Sequence, residues 1–272
     1  MDALFRIVTT LLIFALGASI GSFLNVVVYR LPEGLSILFP PSRCPHCLHQ
    51  LGKRENIPVF GWIGLKGRCL NCKAPISVRY PLVEAIAGFL FLAIFWRFGF
   101  NVETLGYWVC VSWLLALSLI DLDTMTLPNS LTKSGLVAGL VFMTLAGWQE
   151  NGEVSGAIEG LMTGIVGAVL GLWLLNIISG AGAIALGKTA MGGGDAKLAA
   201  LMGAWLGWKY LLVAGFLGCI LGALISGGAI ALRRLKRHQH FPFGPFLALG
   251  TLLTLFWGEF LLSTYLQLFF PL

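Results

Sequence analysis

The chain has 272 residues, of which 57% are hydrophobic and only 11% charged. A soluble domain carries roughly 25% charged residues, so this composition excludes an ordinary water-soluble enzyme and points to a polytopic membrane protein. The net charge of +6 is no argument for nucleic-acid binding, because Lys and Arg in such a chain mainly report which loops face the cytoplasm.

A spanning helix needs about 20 mainly apolar residues. In chain order the expected spans are 6–29, 82–98, 105–120, 131–148, 157–178, 197–208, 210–232 and 246–270, the sixth being short. The expected fold is an all-α polytopic membrane protein of about eight transmembrane helices with a cytoplasmic zinc-binding loop between the first and second. It divides into a first helix (1–29), the loop domain (30–80) and a membrane helical bundle (81–272). The first apolar run, Ile7 to Val28, is longer than the core of a secretory signal peptide and reads as a retained helix.

Basic residues set the orientation. Residues 30–80 hold Arg30, Arg43, Lys53, Arg54, Lys66, Arg68, Lys73 and Arg79 against Glu33 and Glu55, and residues 233–237 read RRLKR. Both segments belong inside. The loops at 99–104 and 149–156 carry Glu103, Glu150 and Glu153 with no Lys or Arg, which suits the outside. Eight helices threaded this way put both termini outside and segments 121–130 and 179–196 inside. Glycines at four-residue spacing (Gly135 and Gly139, Gly160 and Gly164, Gly203 and Gly207, Gly218 and Gly222) read as close helix contacts.

The inside loop contains CPHC (Cys44, Cys47) and CLNC (Cys69, Cys72). Two such knuckles make a four-thiolate zinc site, and a reducing cytosol argues against disulfides. Four thiolates close the coordination sphere, so the site is structural. His46 and His49 are spare ligands. Cys110 and Cys219 lie within expected helices and read as small buried hydrophobes.

Acids at membrane depth are functional candidates by default. Asp195 stands in MGGGDAKLAA (residues 191–200), where Gly192 to Gly194 leave no side chains beside it. Its structural alternative is an ion pair with Lys197 or Lys188, or an N-terminal acid favoured by the dipole of the sixth helix. Asp121 and Asp123, in LSLIDLDTMTLPNSLT, lie on the same inside face. They are about 200° apart on a helix, so only one can face a given partner. Asn25 is expected to hydrogen-bond between helices, and Glu84 to cap the second helix or pair with Arg79.

These motifs together closely resemble the bacterial type IV prepilin peptidases, over nearly the whole chain. GASIGSFLNVVVYRLP is similar to the family's first helix. CPHC through ENIPVFGWIGLKGRCLNCKAPISVRYPLVE resembles its metal-bearing segment. IDLDTMTLPNSLT and GGGDAKL resemble the motifs of two catalytic aspartates. The resemblance implies a GxGD-type aspartic protease of the bacterial inner membrane with Asp121 and Asp195 as its dyad. Its substrates would be prepilins and type II secretion pseudopilins, cut after a basic leader at the cytoplasmic face. It further implies N-methylation of the new terminus with S-adenosylmethionine, for which Gly67 and Glu55 are the candidate residues. No Rossmann unit fits in the loop, so the methyl-transfer expectation rests on the resemblance alone. A transporter would show midplane charge pairs, whereas these acids cluster at one face; a non-enzymatic scaffold held by the zinc loop is the remaining alternative. No nucleic-acid partner is expected, and the oligomeric state is left open.

Overall fold

The structure, a computed structural model, describes residues 2–186, 192–232 and 241–270. It contains α1 (Asp2–Arg30), α2 (Phe60–Gly64), α3 (Arg79–Phe98), α4 (Val102–Thr124), α5 (Asn129–Asn151), α6 (Val154–Leu186), α7 (Gly193–Ala231) and α8 (Gly244–Phe269). Seven of these are long and apolar enough to cross a membrane, all but the single turn of α2. The protein is a multi-pass membrane protein. The basic run at 233–237 and Lys188 lie outside the described residues. Two compact units, 1–116 and 117–272, meet within α4.

In the first unit, α1 and α3 run antiparallel at very close range. A β-carbon on Gly17 would fall 2.8 Å from the Ala87 carbonyl and from Phe91, and one on Gly21 equally near Ala87 and Glu84. Asn25 Nδ2 donates to the Tyr80 carbonyl at 3.2 Å, linking the helices as its position in an apolar run suggests. Trp108 of α4 stacks on Phe91 of α3 with rings 5.0 Å apart and donates Nε1 to the Phe91 carbonyl at 2.9 Å. Cys110 is fully buried. Glu84 does not cap α3; its Oε2 accepts the Val59 N–H at 2.6 Å. That bond anchors the loop where Val59 takes a left-handed conformation, φ 62°.

The second unit is built on glycine contacts. Gly147 and Gly160 of α5 and α6 lie against the backbones of Gly156 and Met143; Gly167 and Gly171 of α6 lie against Gly203 and Ala199 of α7. Both pairs of helices are therefore antiparallel. Without side chains at the crossing the backbones approach closely, which is how helices associate where lipid is as apolar as the protein. Helix α6 runs on past the expected end at 178 to Leu186, because Ser179–Leu186 offers alanine and glycine but no proline to stop it. Cys219 is exposed rather than buried; on a membrane helix the lipid-facing side is as apolar as the packed side.

Helix α7 is two helices. Gly207, with φ 70° and ψ 173°, breaks it. Before the break, Gly203 packs on Gly167. After it, Gly218 packs on Phe246 and Leu247, and Gly222 on Phe243, at the start of α8. The start of α8 also touches Asp121, and Asp121 in turn is felt electrostatically at Asp195 in the first turn of α7. Residues 195 and 222 thus lie at the same end of the unit, and the chain reverses at Gly207. The expected short sixth and longer seventh helices are the two arms of this reversal, which accounts for eight spans against seven long helical elements. Gly207 lies in the crossing with Gly167 and Thr163 of α6, as its spacing suggests, and it is also a turn that a side chain cannot adopt without strain.

Gly207→Ala should therefore destabilise the protein by about 1–3 kcal/mol, since its β-carbon would also fall 2.7 Å from Thr163 Cγ2. Gly215→Ala, on the same helix in open space, should be neutral. Reversible unfolding of both variants in mixed micelles checks the difference.

Candidate active site and metal centre

In the second unit, Asp121 sits three residues from the end of α4 and is 5% exposed. Asp123 is exposed. The helical offset between them thus turns one carboxylate inward and the other out. Asp195 lies at the third position of α7, after the N-cap Gly192. Its backbone N–H donates to the Gly192 carbonyl at 3.2 Å, and its carboxylate accepts from the Gly192 amide. The second of these bonds is the return half of a capping box, made by an aspartate that satisfies a donor the helix leaves orphaned. Gly194 packs on Leu127, so the first turn of α7 lies beside the end of the α4–α5 connection. Lys197 does not pair with Asp195. Its Nζ donates to Asn129 Oδ1 at 2.6 Å and ties the first turn of α7 to the first residue of α5.

A residue that the sequence motifs do not single out completes this end of the bundle. The Gly244 N–H donates to Asp121 Oδ2 at 2.9 Å in a buried position. The only sequence signal was a Gly-Pro pair opening the last apolar run, which marks a helix start and says nothing of a partner. The charge of Asp121 is felt at Asp195, and two carboxyl groups that interact in an apolar surround resist ionising together. Such a pair can take a proton from water and give one to a carbonyl oxygen.

In the first unit, the four thiols of Cys44, Cys47, Cys69 and Cys72 converge, all within 4.8 Å of one another. The two knuckles have one construction. Cys44 N–H donates to the His49 carbonyl and Cys69 N–H to the Ala74 carbonyl, both at 2.9 Å. Each knuckle closes on a left-handed residue, Leu48 and Lys73, at φ 60°. Short antiparallel bridges, Arg43–Gln50 and Arg68–Pro75, clamp their bases. The backbone N–H of His49 lowers the Cys47 thiol to about 6 against the effect of burial. The Ala74 N–H acts likewise on Cys72, but burial and the neighbouring thiols prevail and push it up to about 11. Opposed shifts within one cluster are the mark of thiols that crowd each other's charge, a conflict that a bound cation removes. None of the four is in a disulfide. His49 is no ligand; its Nε2 lies 3.2 Å from Glu55 Oε2.

Glu55 and Gly67 have local partners in the same loop. Glu55 Oε2 also accepts the Gly52 N–H at 2.7 Å. Gly67 takes φ 67°, and a β-carbon there would fall 2.7 Å from the Trp62 ring. Trp62 is held by its Nε1 bond to the Ile76 carbonyl at 3.0 Å.

Residues 15–98 match the family described as the bacterial peptidase A24 N-terminal domain, and residues 108–227 the type IV leader peptidase family. A prepilin leader peptidase/N-methyltransferase of Aeromonas hydrophila is 37% identical over 95% of this chain and 94% of its own length. Proteins of the same name from Stutzerimonas stutzeri and Legionella pneumophila are 36% and 35% identical, covering 93% and 91% of this chain and 92% and 91% of their own lengths. The chain belongs to the type IV leader peptidase family. No solved structure matches it.

Metal analysis of purified protein should find one bound ion per chain. A Cys44→Ser/Cys72→Ser variant should lose it, because two thiolates no longer close the site. Wild-type protein free of metal, or a double variant that keeps it, contradicts this assignment.

Proposed function

We infer that this membrane enzyme cleaves the leader peptide of type IV prepilins and pseudopilins and then methylates the new N-terminus. The observation that carries the peptidase reading is the pairing of Asp121 with Asp195 at one end of the second unit, in a chain of this family. The dyad shares one proton. Its ionised member draws a proton from water as the water oxygen attacks the scissile carbonyl. The protonated member donates to the carbonyl oxygen, and the leaving amine is protonated as the C–N bond breaks. Gly192 and Gly193 have no side chain against them and leave the approach to Asp195 open on that side, which suits a substrate backbone in extended form. Clustered Lys and Arg in residues 30–80 support placing the loop and the dyad on the cytoplasmic side of the inner membrane.

The metal is zinc on this reading. A tetrahedron with Zn–S bonds of about 2.3 Å has edges of about 3.8 Å; the Cys44–Cys72 and Cys47–Cys69 sulfurs stand 3.8 and 3.9 Å apart. Four thiolates leave no open coordination position, so the ion is structural and supplies much of the loop's fold.

S-adenosylmethionine, when bound, supplies an electrophilic methyl group. Glu55 Oε2 is engaged by Gly52 and His49, and Gly67 packs against the Trp62 ring, so both residues also hold the loop. Their contribution to methyl transfer includes the shape of the loop. Glu55 staples the first knuckle to the turn that follows it, and Gly67 lets the chain pass the indole before the second.

Asp121→Asn and Asp195→Asn should each abolish leader cleavage while the protein still inserts, because an amide neither shares the proton nor acts as base. Asp123→Asn, outside the pair, should retain substantial activity. Incubation with a prepilin read by mass spectrometry checks all three; cleavage by the Asp195→Asn protein removes the dyad.

The two activities should also separate. Gly67→Val forces a β-branched side chain into a left-handed position against Trp62, and methylation should fall more than cleavage. Asp195→Asn should still methylate a pre-cleaved pilin peptide supplied with labelled S-adenosylmethionine. Failure of that variant to methylate means the activities share a site.

A further inference from the structure

The first turn of α8 has an unusual hydrogen-bond account. A helix leaves its first four N–H groups without intrahelical partners. Of these four (Phe243, Gly244, Pro245 and Phe246), Pro245 has no N–H and the Phe246 N–H donates back to the Phe243 carbonyl at 3.0 Å; Leu247 then makes the first ordinary intrahelical bond to the same carbonyl at 3.2 Å. The Gly244 N–H, at the first helical position, donates to Asp121 Oδ2 at 2.9 Å.

The glycine is required by space as well as by direction. A β-carbon at 244 would fall 2.7 Å from Asp121 Oδ2, 3.2 Å from Cγ and 3.4 Å from Cβ. The Gly244 backbone therefore lies against the whole carboxymethyl group. Its own position is held from behind. Phe243 packs on Gly222, Phe246 stacks on Phe241 with centroids 5.5 Å apart, and the Phe246 carbonyl lies over Gly218. The second arm of α7 carries both of those glycines.

We propose that Gly244 is a positioning residue for leader cleavage: its N–H pins Oδ2 of Asp121 as an acceptor and so presents Oδ1 as the oxygen that exchanges a proton. This rests on the reading of Asp121 and Asp195 as the dyad. In the step it serves, a water O–H bond breaks, the proton passes to Asp121 Oδ1 and the water oxygen bonds to the scissile carbon. The Asp195 proton goes to the carbonyl oxygen. Collapse of the adduct breaks the C–N bond; Asp121 Oδ1 gives its proton to the leaving nitrogen, and the hydroxyl proton returns to Asp195. Gly244 touches neither water nor substrate in this sequence. It removes one of the two rotational choices open to the Asp121 carboxylate.

Two variants test this in the full-length enzyme in nanodiscs. Gly244→Ala displaces the carboxylate, and misplacement of about 1 Å costs roughly a hundredfold. Its kcat for prepilin cleavage should fall by a factor on that order, with KM within about twofold of wild type and a displaced pH profile of kcat. Replacing residue 244 by glycolic acid, a backbone ester, adds no β-carbon; it removes the N–H and also makes the Phe243 carbonyl a weaker acceptor for Phe246 and Leu247, and kcat should again fall by roughly tenfold or more, consistent with the loss of one directed donor in an active site. The ester also decides the matter if the alanine variant does not accumulate. Wild-type kcat in the ester protein overturns the proposal, and so does an inactive alanine variant beside a fully active ester, which would make Gly244 a spacer only. A loss of kcat with an unmoved pH profile assigns Gly244 to bundle packing and also overturns it. Asp121→Asn is measured in parallel. If that variant cleaves, the dyad reading itself fails; if it is inactive while both Gly244 changes are silent, only the positioning role fails.

Discussion

A carboxylate held at the end of an apolar bundle must be given polar partners, and the second unit is arranged around that requirement. Asp121 is nearly inaccessible, and the Gly244 N–H is a backbone bond to it that spans 123 positions of the chain. Asp195 takes its own backbone partner locally, from the helix end it opens. Each acid is thus served by the N-terminal end of a helix, where orphan donors are available without burying a further side chain. That economy matters in a bundle whose remaining contacts are apolar.

Helix ends can be brought to the carboxylates only because the helix bodies approach so closely. At Gly160, Gly167 and Gly203 the neighbour across the crossing is main chain, not side chain. Dispersion between tightly packed backbones is what holds helices together in lipid. In the first unit the same device joins α1 to α3, with Glu84 reaching out of the helix pair to hold Val59 of the loop. The loop then relies on its thiol cluster, with little apolar core of its own: Leu48, Phe60 and Ile63 stay exposed.

Much of this was legible in the order of residues. Helix spans show in length and apolarity, and the knuckles show in C-x2-C spacing, because tetrahedral thiolate geometry demands that spacing. Asp121 was separable from Asp123 by helical offset together with the family resemblance. What the sequence hid was long-range or two-sided. Nothing local marks Gly244 as the neighbour of Asp121, or Asn129 as the partner of Lys197. The exposure of Cys219 was hidden because lipid and protein interior have the same polarity, so the hydrophobic pattern loses its sidedness. Gly207 sat at the spacing of a packing glycine and does pack on α6, but it also carries a positive φ; the spacing shows the first use and hides the second.

The reversal at Gly207 bears on how the chain enters the bilayer during synthesis. From Gly193 to Leu206 the first arm rises only about 21 Å, short of a hydrocarbon layer of about 30 Å. A translocon reads such a segment poorly by itself. The longer arm that follows is apolar enough to partition, and a turn with no intervening loop obliges the two to enter as a pair. Asp195 and Lys197 sit at the start of that pair, in the first turn of its first arm. Insertion of the segment that carries Asp195 then depends on sequence that is translated after it, in the second arm.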